Sequence, residues 1–366
     1  MSNVNKVGNL FSYTAKLFYE DIDGLLSTQG KGIEDLLFPI EKSTIEDQIL
    51  MEKYVTNPEG ITFRQRDTQS HIRPYKPGKG VFYTVPRSSE ITPISEVLRD
   101  SVIAGASTGN FDAYQAEMMT QIINDHTVAF KKTRTKQAID TFRTGKFVPI
   151  DEKGLQLEDG FIDFGRASAN DITYDFTASG ADIDAALLKA YNVYRDAKGS
   201  LNNVVMILGS SWLNAFSQLA NDSKSLKRIA QVQSTTLTLN QVPPQLEGVQ
   251  GLFVIAKYLI PGTVAPVYIC GYEPSMTWLQ KVGDVEADFF PANEMLVFSL
   301  NDPRWSVFGG QDILNDAQKI VRTSGHLTFD NYFEFDPPTY LFRSQSRWIY
   351  LVGDINKIVR STGTFA

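Results

Sequence analysis

Between Phe111 and Thr144 the apolar side chains fall at Phe111, Tyr114, Met118, Ile122, Ala129, Phe130 and Phe142. The steps are mostly threes, fours and their sums, which is the period of one helix face. Asn110 and Asp112 can start the helix, with Gln115 at capping-box spacing from Asp112. Thr144-Gly145 ends it. Acids come early (Asp112, Glu117, Asp125) and bases late (Lys131, Lys132, Arg134, Lys136, Arg143), the order a helix dipole favours. The pattern predicts one spine helix over 111–144. At about 1.5 Å per residue it would run roughly 50 Å. A globule of this chain length is itself only about 50 to 55 Å across. Two shorter helices broken near Asn124-Asp125 are the alternative.

Before the spine the pattern is weaker. Residues 1–59 read as an arm, with Gly24, Gly30 and Gly32 interrupting any long helix and an acidic run that includes Glu34, Asp35, Glu41 and Asp47. Thr62-Phe63 and Val81–Val85 are strand-like and flank a turn-rich tip, Arg73–Gly80. This predicts a long two-stranded hairpin carrying Arg64, Arg66, Arg73, Lys76, Lys79 and Arg87 against one acid, Asp67. After Gly145 a twisted strand pair is expected, turning at Glu158-Asp159-Gly160. Thr177–Gly180 reads as a linker. Beyond it a helix face (Ile183, Leu187, Ala190, Tyr191, Tyr194) alternates with buried strands at 203–208, 252–256, 267–270 and 295–298, an α/β unit. Strands return from Val321 to the end.

Composition is that of an ordinary globular chain: 366 residues, 42% hydrophobic, 21% charged, net charge −7. A protein whose main task is gripping nucleic acid is usually basic. The single cysteine, Cys270, excludes an intramolecular disulfide and reads as a buried strand residue. No apolar run approaches 18 residues, so no membrane span is expected. Folding in a reducing cytoplasm is the expectation.

The constellations that enzymes need are missing. Gly209-Ser210-Ser211-Trp212-Leu213 follows a strand and opens a helix but lacks the closing Gly of a nucleophile elbow. His71, His126 and His326 sit in three different elements, and none has an evident catalytic partner. Lys76–Gly80 lacks the phosphate-loop pattern. Asp182 and Asp184 read as a helix N-terminal pair rather than metal ligands. No catalytic residue, cofactor or metal is therefore expected. The basic hairpin leaves three readings open: nucleic-acid contact, a solvated turn, or docking on an acidic face of a neighbouring copy, such as the arm acids.

The order of elements, and several stretches in that order, carry a resemblance. Phe38-Pro-Ile-Glu-Lys42 lies in the arm and Tyr75-Lys-Pro77 in the basic loop. Gly145-Lys-Phe147, Ile162-Asp-Phe-Gly-Arg166 and Asn170-Asp-Ile-Thr173 follow the spine, and Phe290-Pro-Ala-Asn-Glu-Met-Leu-Val297 comes later. Together they resemble the lambda-type major capsid proteins of tailed bacteriophages, the phage capsid E family. The resemblance singles out Gly145, Asp163, Gly165, Arg166, Asn170, Pro291 and Asn293 as structural motif residues. It implies an α+β capsid fold: an N-terminal arm (1–59), an extended β-hairpin loop (60–93), a peripheral domain with the spine helix (94–180 and 318–366) and an α/β axial domain (181–317).

The function it implies is self-assembly through hexamers and pentamers into an icosahedral head around double-stranded DNA, held without sequence-specific binding. The loop bases and the arm acids Glu34, Asp35 and Glu41 would then meet neighbouring copies. A separate scaffold protein, a portal and a decoration protein are the implied partners. The virion, assembled in the bacterial cytoplasm, is the implied location. An encapsulin-like cellular compartment is the related alternative.

Overall fold

A single helix does run from Phe111 to Thr144. Its buried seam, however, is Ile123, His126, Phe130, Ala138, Ile139, Thr141 and Phe142. The seam keeps Phe130 and Phe142 of the apolar series read from sequence but runs through Ile123 rather than Ile122. The reason is that polar residues complete it: His126 is buried, and the Arg134 side chain is only 11% exposed.

The computed structural model describes residues 31–53, 79–93, 111–150, 155–158, 160–179, 181–221, 242–263, 265–273, 278–279, 286–314, 320–335 and 338–365. In chain order the elements are α1 (Ile33–Leu37), β1 (Ile40–Ser43), β2 (Gln48–Lys53), β3 (Lys79–Thr84), β4 (Arg87–Pro93), α2 (Phe111–Thr144), β5 (Lys146–Phe147), β6 (Ile162–Asp163) and β7 (Asp171–Asp175). Next come α3 (Ile183–Asp196), β8 (Val204–Leu208), α4 (Ser210–Asn221), β9 (Leu252–Tyr258), β10 (Val267–Tyr272), β11 (Trp278–Leu279), β12 (Glu286–Ala287) and β13 (Glu294–Ser299). The chain closes with β14 (Arg304–Phe308), β15 (Gly310–Leu314), β16 (Ile320–Ser324), β17 (Thr328–Phe335), β18 (Pro338–Val352) and β19 (Val359–Thr364).

Two sheets organise these elements. A mixed sheet has the order β7-β19-β13-β8-β10-β9. Its central strands β8, β10 and β13 are buried on both faces, in keeping with their mainly apolar sequences. One face (Val204, Met206, Ile269, Met295, Val297) packs on Leu187, Tyr191 and Tyr194 of α3 and Trp212 and Phe216 of α4. The other face (Val205, Ile207, Cys270, Leu296, Phe298) belongs to the cluster containing Ala138, Ile139 and Phe142 of the spine. Burial pushes the Cys270 thiol up to about 12, so it behaves as a packing residue.

The second sheet has the order β1-β14-β18-β17, with β4 also paired to β18. Its Ile349, Tyr350 and Leu351 join the same spine cluster. The helix is thus the shared wall between the two sheets.

Several expectations change here. Strand β3 pairs antiparallel with β2, so Val81–Thr84 meets Gln48–Met51; Thr62-Phe63, the partner expected from sequence, lies outside the described residues. That pairing is non-local, and β2 hides in an acid-rich stretch that reads as arm. The strand pair expected around Gly160 also divides differently: Ile162 pairs with Phe147, and Gln156 bridges Ile150. β7 and β19 lie in the α/β sheet, while β14 lies in the second sheet. The end of the arm docks on its own body, with Ile33, Leu36, Leu37 and Phe38 in the spine cluster.

Candidate assembly surfaces and the joints behind them

The motif residues gather at the C-terminal end of the spine and the strands beside it. Gly145 ends the helix at φ +71°, a conformation that favours glycine. Arg166 donates Nη2 to the Phe142 carbonyl at 2.9 Å and Nη1 to the Arg143 carbonyl. A cation thus covers the last helix carbonyls, where the dipole is negative. Burial lowers the Arg166 pKa to about 10, against the opposing pull of Asp171, and it stays charged at neutral pH.

Asp163 holds its own turn, accepting from the Gly165 amide at 2.9 Å and pairing with Lys146 at 2.9 Å. Asn170 donates to the Asn356 carbonyl at 2.8 Å, tying β7 to the turn before β19. Asn293 accepts Trp212 Nε1 at 2.9 Å and the Gly363 amide at 2.8 Å through its carbonyl. The Pro291 carbonyl lies 2.3 Å from where a Gly209 side chain would start, so Gly209 is there for close approach. These residues fix elements to one another; none forms a pocket chemistry.

Sequence reasoning missed the arginines that lock the spine. Arg143 makes a two-pronged pair with Glu294 at 2.7 and 2.8 Å and also holds Asp140 at 2.7 Å, which ties α2 to β13. Arg304 is fully buried and donates to the Leu37 carbonyl at 2.6 Å and the Ser299 carbonyl at 2.8 Å, between the Phe142 and Phe298 rings. Burial lowers its pKa to about 10. Arg134 pairs with Glu34 at 3.1 Å, and the Tyr350 hydroxyl donates to the same carboxylate at 3.2 Å. The available signal was position: Arg134 continues the i, i+4 series from His126 and Phe130.

The arm acids therefore divide. Glu34, expected to face a neighbouring copy, is buried and satisfied within its own chain; desolvation raises its pKa despite Arg134. Asp35 is exposed and accepts from the Gly32 amide at 2.8 Å. Glu41 is half exposed on β1 and meets His326 Nε2 at 2.8 Å. Of the loop bases, Lys79 opens β3, opposite Lys53, and Arg87 opens β4, exposed and opposite Arg347. Arg64, Arg66, Arg73 and Lys76 lie outside the described residues.

Phe82 on β3 is 66% exposed, and among the described residues β2 and β3 pair with no other strand. Among the described residues, no cluster of three or more His, Cys, Asp or Glu could hold a metal ion. Within them, too, no helix is long and apolar enough to cross a membrane.

Comparison with solved structures defines the class. A protein assigned as a prophage capsid protein in Escherichia coli CFT073 superposes with a TM-score of 0.54 at 14% identity, over 91% of this chain and 93% of that one. The fold is that of a tailed-phage capsid subunit. The satellite phage P4 procapsid subunit (TM-score 0.43, 12% identity, 94% and 91% covered) and a virus-like particle from Pyrococcus furiosus (0.40, 9%, 94% and 99%) are looser matches. No curated protein matches the chain in sequence. The sequence profile of the phage major capsid protein E family matches residues 26–361, and the chain belongs to that family. It is a structural protein of a phage head.

Proposed function

We propose that copies of this chain close into an icosahedral head through hexamers and pentamers, around the double-stranded DNA of a tailed phage. The observation that carries this reading is the contrast between body and appendage. The body is locked by buried ion pairs and two shared sheets. Among the described residues the β2–β3 ribbon is paired only with itself, and it displays Phe82. A lone two-stranded ribbon is marginal in water, so a neighbouring copy is its natural support. Many modest contacts of this kind, repeated around a closed lattice, give stability no single interface has.

In this reading the six-stranded sheet with α3 and α4 stands nearest the capsomer centre, as an axial domain, and the second sheet lies peripherally. Asp35 and Glu41 are the arm acids left at the surface for a neighbour's loop bases. The acidic balance of the chain suits a wall that does not grip its DNA. Scaffold, portal and decoration proteins are the partners such a shell takes, and the virion, filled in the host cytoplasm, is where it resides.

Negative-stain images of the purified protein test the reading, with shells, rings or flat sheets expected and only monodisperse single subunits counting against it. Nuclease-protected DNA in particles from the native host is the expected content; a protein cargo would favour a cellular compartment instead. Reversing Arg64, Arg66 and Arg73 to Glu should leave the subunit folded and cut particle yield at least about tenfold, since like charges at an interface cost several kcal/mol. Normal particles from that variant would refute the charge pairing.

A further inference from the structure

The ribbon joins the body at a root where three stretches meet, and Ile49 and Tyr83 beside that root pack against the spine cluster. The Val85 amide donates to the Asp47 carbonyl at 3.0 Å, joining the outgoing and returning chains. The Thr44 amide donates to the Phe308 carbonyl at 2.8 Å. Beneath them lie Gly309 and Gly310. A side chain at Gly310 would begin 2.2 Å from the Ile45 carbonyl oxygen, and one at Gly309 3.1 Å from the Val85 side chain. The root is pressed onto bare backbone.

Two arginines close over it. Arg347 of β18 donates Nε and Nη2 to the Val85 carbonyl at 3.2 and 2.8 Å, and Nη1 to the Gly310 carbonyl at 3.1 Å and to the Asp47 carboxylate. Arg322 of β16 pairs with the same carboxylate. One guanidinium thus holds both roots of the ribbon, and Asp47 is gripped from two strands. A fork of donors on one carbonyl fixes direction as well as distance.

We propose that Asp47, Arg347 and Arg322 form a clamp that sets the angle at which the ribbon leaves the body, and thereby the diameter of the shell that copies of the chain can close. These are positioning residues. The second half of the proposal rests on the shell-building reading; the first half concerns the subunit alone.

Asp47→Asn keeps the side chain's size and removes its charge, and Asp47→Glu restores the charge. Hydrogen exchange on the unassembled subunit should show the Val85 amide and the β2 and β3 amides exchanging about fivefold faster in Asp47→Asn, the upper range for a partly exposed pair. Spine amides should stay unchanged, and Asp47→Glu should return the ribbon to wild-type rates. Particles assembled from Asp47→Asn should show a broadened diameter distribution beside a single wild-type diameter.

Unchanged exchange at Val85, or faster exchange spread evenly over the body, overturns the clamp. Faster exchange at the root with an unchanged diameter overturns the step from angle to size. Should the wild-type chain build no particles, the shell-building reading and the diameter claim fail together, while the exchange result still decides the clamp.

Discussion

His126 shows how much a single polar residue can organise. It sits in the apolar seam of the spine, with Nε2 2.8 Å from the Thr92 hydroxyl on β4 and Nδ1 2.7 Å from the Ser344 hydroxyl on β18. The ring therefore joins helix, loop return and central strand. Desolvation lowers its pKa below 6.5, with Glu90 and Asp125 pulling the other way. A base whose folded pKa is lowered gives stability that is full above its unfolded value and is lost as pH falls through the folded one. Acidifying from about pH 7.5 to 5 should lower the melting temperature of the unassembled subunit, and His126→Gln should remove that part of the slope. An equal slope in the variant would contradict the assignment. Asp47, held below the usual carboxylate range by Arg322 and Arg347, loses its contribution only as pH falls below about 4, so the two effects separate.

At the level of elements, the joints between spine and sheets set the rigidity of the body. The Arg143–Glu294 side chains are 15% and 10% exposed. Removing one partner of such a pair leaves a charge with poor solvation, costing about 3–5 kcal/mol. Arg143→Ala should lower urea-unfolding stability by about that much, and Arg143→Leu combined with Glu294→Leu should recover most of it. A change under about 1 kcal/mol for the single variant would mean the joint is dispensable.

These joints also mark where sequence reading stops. The spine from Phe111 to Thr144 and the strands around Val204–Leu208 and Glu294–Ser299 were legible because their period or unbroken apolar run is a local property. Gly145 was legible as a helix stop, whereas Arg166 and Asn170 were legible only through resemblance. The partner of β3, the division of strands between the two sheets, and the roles of Arg134, Arg304 and Arg347 depend on contacts between distant segments. Arg347 and Asp47, for example, are 300 residues apart. Charge alone misled at Glu34, where an acid in an acidic stretch is in fact a buried partner of the spine.

For the whole molecule the account is a stiff body with an outward ribbon whose apolar side chain needs a neighbour. Phe82→Asp should leave the circular dichroism of the subunit unchanged, because the side chain is exposed. It should nonetheless reduce assembly sharply by placing a charge in a contact expected to be apolar. Sedimentation would detect the loss. Wild-type particle yield from this variant would remove the ribbon from the interface. The central claim, that this chain is the repeating unit of a closed head, is tested most directly by cryo-electron imaging of assembled wild-type particles. The account predicts hexameric and pentameric clusters with each β2–β3 ribbon lying on an adjacent copy. Particles in which every ribbon touches only its own subunit would contradict it.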